Sequence, residues 1–232
     1  MRVVWTAGIL FAVVSVLTVV LLAAAGFTVS PFDTGQAQSE RFHPYISVAT
    51  GLQYNVPMRL VIRQSGQPDI KLTACFDTRP FVEVPYYDVK VGTTRTPWAF
   101  ELELVHHKLY LANRPSEVDT FEITHGYNPI LLNAVREHWG VAFRAGAGIL
   151  LAHPQSTVRG LRFPETGGIL GWFVSGPAAQ VGVSKSWEFG PHLLAGVEGK
   201  FVGAWARVPI VNGNADVPNL SLHGLVSAGW RF

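Results

Sequence analysis

Apolar and polar residues alternate along the stretch from residue 219 to residue 232. The even-numbered positions are mostly apolar: Leu220, Leu222, Gly224, Val226, Ala228, Trp230 and Phe232. The odd-numbered positions are mostly polar: Asn219, Ser221, His223, Leu225, Ser227, Gly229 and Arg231. A period of two indicates a β-strand with two different faces. A strand of a transmembrane barrel has this pattern because one face meets lipid and the other meets the lumen.

Shorter runs with the same period recur through the chain, separated by Gly, Pro and Asn. Counted from the C terminus, they predict strands at about 218–232, 192–207, 171–187, 139–152, 118–126, 98–112, 82–91 and 69–76. From residue 45 on, only residues 129–138 have apolar side chains at helical spacing. An even number of strands allows a closed antiparallel barrel with both ends on one side. The prediction is an all-β fold, a closed antiparallel transmembrane β-barrel of about eight strands.

Two features of the segments between and before these strands bear on the prediction. Residues 45–63 also favour strands, which leaves a ten-stranded barrel or a periplasmic hairpin open. If residue 232 lies at the periplasmic end, the long connections at about 153–170 and 208–217 are external and the short connection 188–191 is periplasmic. Outer-membrane barrels have long external and short periplasmic connections. The connections 113–117 and 127–138 do not follow this rule.

Trp230 and Phe232 resemble the end of the terminal strand in bacterial outer-membrane β-barrels, although Ser227 stands where that pattern has glycine. The resemblance implies a location in the cell outer membrane. It also implies that the outer-membrane assembly machinery reads Phe232.

Composition narrows the class of protein further. Charged residues make up only 15% of the 232 residues, below the usual quarter, whereas there are 23 Gly and seven Trp. A formal net charge of +2 gives no basic surface for nucleic acid, so no nucleic-acid partner is expected. The single cysteine, Cys75, excludes an intrachain disulfide, and its place within a predicted strand indicates a small core residue. A soluble sandwich or lipocalin-like barrel would show the same alternation with the faces reversed, and it stays an alternative.

The N-terminal residues predict a membrane-targeting segment. Arg2 precedes a stretch without charge from residue 3 to residue 30, which is long enough for a signal peptide or for a retained anchor helix. Residues 1–37 are therefore predicted to be a hydrophobic signal or anchor helix with a linker, and residues 38–232 to be the barrel. The low charge and strand pattern of the remainder favour removal of the signal.

Charged residues on the inward faces would have to share a narrow lumen. An eight-stranded barrel has an interior just wide enough for its own side chains. Opposite charges buried there must pair, because an unpaired buried charge costs several kcal/mol. The expected result is a lumen closed by salt bridges rather than a pore, with this predicted inward set: Glu101, Glu103, Arg144, Glu198, Lys200, His223 and Arg231.

A histidine cluster is the candidate for chemistry. A hairpin centred near residue 115 would place His106 opposite Thr124 and His125 opposite Val105. Imidazole, carboxylate and hydroxyl groups together are the components of ester hydrolysis, and the same residue types bind divalent metals. The candidate catalytic residues are His106, His107, His125, Glu101, Glu103 and Glu122.

The sequence His125-Gly-Tyr-Asn128 is similar to the His-x-Ser-Asn motif of the PagL lipid A deacylases. In that family the His, the Ser and a Glu form a catalytic triad on an eight-stranded outer-membrane barrel. The resemblance extends to His125 and Asn128, and Tyr127 occupies the place of the nucleophilic serine. It implies lipid A 3-O-deacylase-like chemistry, in which the carboxylate would have to come from Glu101, Glu103 or Glu122.

The predicted function is that of a small outer-membrane barrel of structural or interaction type, acting through its external loops. Membrane lipid and lipopolysaccharide are the expected partners, and Arg159 and Arg162 in the loop 155–168 form a candidate surface for them. A PagL-like hydrolase and an anchored soluble periplasmic barrel are the alternatives. No cofactor and no metal is predicted.

Overall fold

The computed structural model describes residues 43–82, 84–95, 98–164 and 171–232. These residues form one antiparallel sheet. Its strands in chain order are β1 (His43–Val56), β2 (Met58–Gln64), β3 (Ile70–Ala74), β4 (Phe76–Asp77), β5 (Tyr87–Arg95), β6 (Trp98–His106), β7 (Leu109–Leu111), β8 (Val118–His138), β9 (Val141–Val158), β10 (Leu161–Phe163), β11 (Phe173–Phe189), β12 (Leu193–Ile210) and β13 (Gly213–Arg231). The predicted signal or anchor segment, residues 1–37, lies outside the described residues. Within them, no helix is long and apolar enough to cross a membrane.

Eight of the strands close into a barrel. Their order around it is β1, β5, β6, β8, β9, β11, β12 and β13, and β13 pairs again with β1. The closing pair runs from Tyr45 opposite Arg231 to Val56 opposite Leu220. The predicted closed antiparallel barrel of eight strands is therefore confirmed, and the ten-stranded alternative is wrong. We call the end with His43 and Arg231 the terminal end, and the opposite end the far end.

The identity of the eighth strand differs from the prediction. The barrel uses β1, whereas β3, predicted as the barrel strand 69–76, pairs only with β2. Pro57 separates β1 from β2, since a proline has no N–H to continue the ladder. Strand β2 pairs with β13 between Val61 and Gln64. The β2–β3 hairpin therefore extends the wall at the far end. Residues 45–63 do not form a hairpin of their own, because β1 is a strand of the barrel and β2 pairs with β13 and β3.

Strand β8 contains both the predicted strand 118–126 and the predicted connection 127–138. The second half of β8 has apolar residues on both faces: Leu131 and Val135 point inward and Leu132 points outward. Together these residues imitate the apolar spacing of a helix, so the spacing was misleading. A bulge lies between Ile123 and Tyr127, where Gly126 has a φ of 136°. Because β8 continues to His138, only residues 139–140 form the turn to β9 at the terminal end.

Large apolar side chains cover the outer face of the barrel as a continuous belt. From Trp230 to Pro218 the wall extends about 40 Å along the strand, or ~30 Å along the axis at a tilt of ~40°, comparable with the ~25 Å apolar band of membrane barrels. Lys185 and Arg136 lie at the terminal edge over the rings of Trp187 and Trp98. The exposed belt residues include Ile46, Val48, Leu52, Tyr54, Val91, Phe100, Leu102, Leu132, Ile149, Val183, Val197, Trp205, Leu222, Val226 and Trp230.

The interior changes character along the barrel axis. The terminal half holds charged and amide side chains, because Asp88, Lys90, Glu101 and Glu103 alternate with the belt residues on β5 and β6. The far half is an apolar core, whose members include Leu60, Ile62, Phe76, Leu109, Phe121, Ile123, Leu150, Val158, Val208 and Val217. Cys75 lies outside this core and is exposed, so its predicted burial is wrong.

Candidate functional site

The most concentrated set of charges lies in the terminal half of the lumen. Lys200 is fully buried and donates hydrogen bonds to Asp88 and Glu103. The amino group of Lys90 lies 2.9 Å from Asp88 Oδ1 and 2.8 Å from Glu198 Oε2. Its distance to Glu103 Oε1 is 3.5 Å. These five side chains come from β5, β6 and β12, and each of the five contacts an opposite charge.

Arg144 of β9 extends this cluster towards the terminal end. Its Nε and Nη2 atoms donate to Glu101 at 2.5 and 2.9 Å, which is a bidentate pair, and its Nη1 lies 3.0 Å from Glu198 Oε1. The hydroxyl of Tyr45 donates to Glu101 Oε1 at 2.6 Å. We call the set of Asp88, Lys90, Glu101, Glu103, Arg144, Glu198 and Lys200 the lumen charge cluster.

The lumen charge cluster includes five of the seven predicted inward residues. His223 also faces the lumen, whereas Arg231 lies at the terminal rim and pairs with Glu188 at 2.5 Å. Asp88 and Lys90 were missed, although they alternate with Val89 and Val91 in the sequence. An open pocket of about 340 Å³ leads from the terminal end to Glu101 and Arg144.

A second buried network lies between the charge cluster and the apolar core. His223 Nδ1 is 2.8 Å from the hydroxyl of Tyr86, and its Nε2 is 2.7 Å from the Ser221 hydroxyl. His107 Nε2 donates to Asn55 Oδ1 at 2.8 Å. A serine hydroxyl beside an imidazole resembles a nucleophile and its base. Here all five side chains are buried, so the arrangement fills the lumen and offers no access to a substrate.

His106 lies on the outer side of the wall. Its ring stacks on Tyr87 at a centroid distance of 4.7 Å, and its Nδ1 is 3.1 Å from Asn128 Oδ1. The segment before β5 packs nearby, because Lys108 donates a hydrogen bond to the carbonyl oxygen of Val82. Both His106 and Lys108 are buried.

His125 is exposed further towards the far end. The Thr124 hydroxyl lies 3.3 Å from His125 Nδ1, and the His125 ring lies 5.3 Å from the ring of His153. Gln155 donates to Glu122 at 3.1 Å and to Thr124 at 3.2 Å. A hydroxyl, an imidazole and a carboxylate are therefore neighbours here. Gln155 links the carboxylate of Glu122 to the hydroxyl of Thr124.

The six predicted catalytic residues thus occupy three places. Glu101, Glu103 and His107 lie in the lumen, His106 lies on the outer wall, and His125 and Glu122 lie near the far end. The predicted hairpin register is wrong, since β6 pairs Leu104 with Ile130 and β7 pairs Leu109 with Ile123. The bulge after Ile123 in β8 shifts the register between these pairs. No group of three or more His, Cys, Asp or Glu side chains in the described ranges is arranged to hold a metal ion.

Several solved structures align with most of this chain, among them the following three. Ail, the attachment invasion locus protein of Yersinia pestis, has 11% identity and a TM-score of 0.39, covering 82% of this chain and 97% of Ail. The outer membrane protein AlkL has 14% identity and a TM-score of 0.44, covering 88% and 97%. The outer membrane protein OprG from Pseudomonas aeruginosa has 9% identity and a TM-score of 0.35, covering 82% and 94%. No family model and no curated protein matches the chain. The barrel described above rests on the strand pairing of this chain itself.

Proposed function

We propose that the protein is a small bacterial outer-membrane barrel of structural or interaction type whose lumen is closed. The observation that carries the proposal is the belt, in which large apolar side chains stay exposed on the outside while the lumen charge cluster faces inward. A soluble barrel would place these faces the other way round. The outer membrane is the proposed location because bacterial outer membranes are spanned by closed barrels of this kind.

The contents of the lumen favour a closed barrel over a pore. The charge cluster, the His223 network and the apolar core follow one another along the axis of the described barrel. An ion would have to separate buried charge pairs and then cross apolar side chains, and both steps are costly. We therefore assign the interaction function to the outer surfaces of the barrel.

The proposed interaction surface is the far end. The predicted external loop 208–217 is a pair of strand ends joined by the tight turn 211–212, and the β2–β3 hairpin lies beside it. Strand β10 continues the wall beyond Arg159. Phe232, which is 66% exposed at the terminal end, is the proposed contact for the assembly machinery.

The test combines membrane fractionation with electrical recording. We expect the protein in isolated outer membranes to change its gel mobility on boiling, because the folded barrel resists detergent. We also expect no stable conductance steps after reconstitution into planar bilayers. Regular conductance steps would contradict the closed lumen. Release without detergent after deletion of residues 1–37 would instead support the anchored soluble barrel.

A lipid-modifying hydrolase is a second candidate, favoured by the contact between Thr124 Oγ1 and His125 Nδ1. The test compares lipid A extracted from cells that express wild type, His125→Ala or Thr124→Val at equal levels. Loss of an acyl chain only with the wild-type protein would support this function. Identical lipid A profiles in all three strains would exclude it.

A further inference from the structure

An outward-facing groove of about 480 Å³ lies where the β2–β3 hairpin joins the barrel. Trp205, Pro218 and Asp216 of β12 and β13 line one side, and Arg59 and Arg63 of β2 and Lys71 of β3 line the other. This groove is separate from the lumen and from the histidines discussed above.

The groove begins where the apolar belt ends. Trp205 is 56% exposed and pairs with Pro218, and two positions further towards the far end Arg207 pairs with Asp216. Two residues span about 7 Å along a strand. On this side of the barrel, the distance from the last apolar residue to the first charged residue is therefore about 7 Å. This is similar to the distance between the acyl chains of a lipid and its headgroup.

Carboxylates hold three of the cations in place. Asp216 accepts hydrogen bonds from Arg207 Nε at 2.8 Å and from Arg63 Nη1 at 2.6 Å. The Arg207 hydrogen bond holds the pKa of Asp216 below its usual value, so this carboxylate stays charged at neutral pH. The amino group of Lys71 lies 3.2 Å from Asp69.

Positive charge remains in excess. Four cations, Arg59, Arg63, Lys71 and Arg207, face two carboxylates, Asp69 and Asp216. Within the described ranges Arg59 forms no ion pair, and it is exposed. Guanidinium groups bind phosphate through two parallel hydrogen bonds, and amino groups bind it as point charges. An aromatic side chain such as Trp205 is favoured at the boundary between acyl chains and headgroups.

We propose that this groove binds the phosphate group of a membrane lipid whose acyl chains lie against the belt beside Trp205. The proposal rests on the proposed membrane location and names a lipid-binding site for it. It places the site on the barrel wall rather than at the predicted loop surface 155–168. A phosphorylated lipid A is the outer-leaflet lipid with this chemistry.

The test measures binding of bisphosphorylated lipid A to the full chain in detergent micelles by native mass spectrometry. In the variant Arg59→Gln/Lys71→Gln we expect binding at least about tenfold weaker, because two charge-assisted contacts are lost. The control Arg114→Gln/Arg162→Gln removes the same charge from exposed positions elsewhere and includes the predicted loop surface. We expect the control to bind like wild type, and dephosphorylated lipid A to bind all three proteins equally weakly.

Each other outcome points to a different conclusion. Equal binding by wild type and the groove variant would overturn the proposal, and loss only in the control would move the site to the loop. Full competition by inorganic phosphate would show a site for soluble anions rather than for a lipid. Heat-dependent gel mobility is recorded for every sample, so failure of the membrane-barrel proposal is recognised separately.

Discussion

At the scale of single residues, Lys200 is the clearest example of a side chain that the barrel tolerates only because of its partners. It is fully buried between Asp88 and Glu103. Removing one member of a buried ion group leaves the others without compensation, which typically costs about 3–5 kcal/mol. The charge at this position is therefore a requirement of the fold, whatever its role in function.

We expect Lys200→Met to lower the free energy of unfolding by about 3–5 kcal/mol, because Asp88 and Glu103 would lose their closest cation. Urea unfolding of the purified protein in micelles measures this. The matched control Lys185→Met removes an exposed lysine at the terminal edge of the belt and should change stability by less than about 0.5 kcal/mol. Adding Asp88→Asn to Lys200→Met should restore part of the loss. An additive double variant would show that the two residues are not coupled.

Glycines inside the wall allow a second prediction at this scale. A methyl group at Gly148 would overlap the backbone carbonyl oxygen of Ile130 on the neighbouring strand, whereas one at Gly199 would meet no atom within 4 Å. We expect Gly148→Ala to destabilise the barrel by about 1–3 kcal/mol and Gly199→Ala to leave it almost unchanged. Melting followed by circular dichroism compares the two. Equal melting temperatures would contradict the close approach of β8 and β9 at this position.

At the scale of elements, the clearest patterns in the sequence were those in which one face is apolar and the other polar. Strand β12 was predicted to within three residues for this reason, and β13 was predicted except for its first five residues. Strand β8 was not, because its second half has apolar residues on both faces and its bulge at Gly126 interrupts the period. Strand β1 was recognised as a strand, but alternation does not reveal which strand closes a barrel. Pairing between distant segments depends on packing that a single strand does not encode.

The closure between β1 and β13 can be tested with cysteines. Val48 lies directly opposite Ala228, and both side chains face outward. In a Cys75→Ser background, we expect the pair Val48→Cys/Ala228→Cys to form a disulfide on oxidation, since directly opposed Cβ atoms are about 5 Å apart. A reducing agent should reverse the resulting shift on a denaturing gel. The control pair Val48→Cys/Leu222→Cys is six register positions out of line and should stay reduced. Equal crosslinking of both pairs would contradict the register.

At the scale of the whole molecule, the distribution of charge explains why the lumen was easier to predict than a site. Low charge content and alternation together predicted that the charged residues between the belt positions face inward and pair. The positions of His106, His107 and His125 depended on a bulge and on the packing of the segment before β5, which leave no periodic signal. The groove beside Trp205 was missed because β2 and β3 contribute to it only after they join the end of the barrel.

Whether the belt faces lipid or water is a property of the whole molecule, and a substitution at Leu132 can test it. This side chain is 71% exposed in the middle of the belt, between Leu102 and Ala147 on the adjacent strands. If the belt faces lipid, Leu132→Lys should destabilise the barrel in phospholipid vesicles by about 2–4 kcal/mol, since a lysine at the bilayer midplane costs that much. Leu161→Lys, at an exposed position near the far tip of the barrel, should cost less than about 1 kcal/mol. Urea titrations of refolding into vesicles give both values. A barrel that faced water would accept both lysines alike, so equal stability of the two variants would exclude a belt that is covered by lipid.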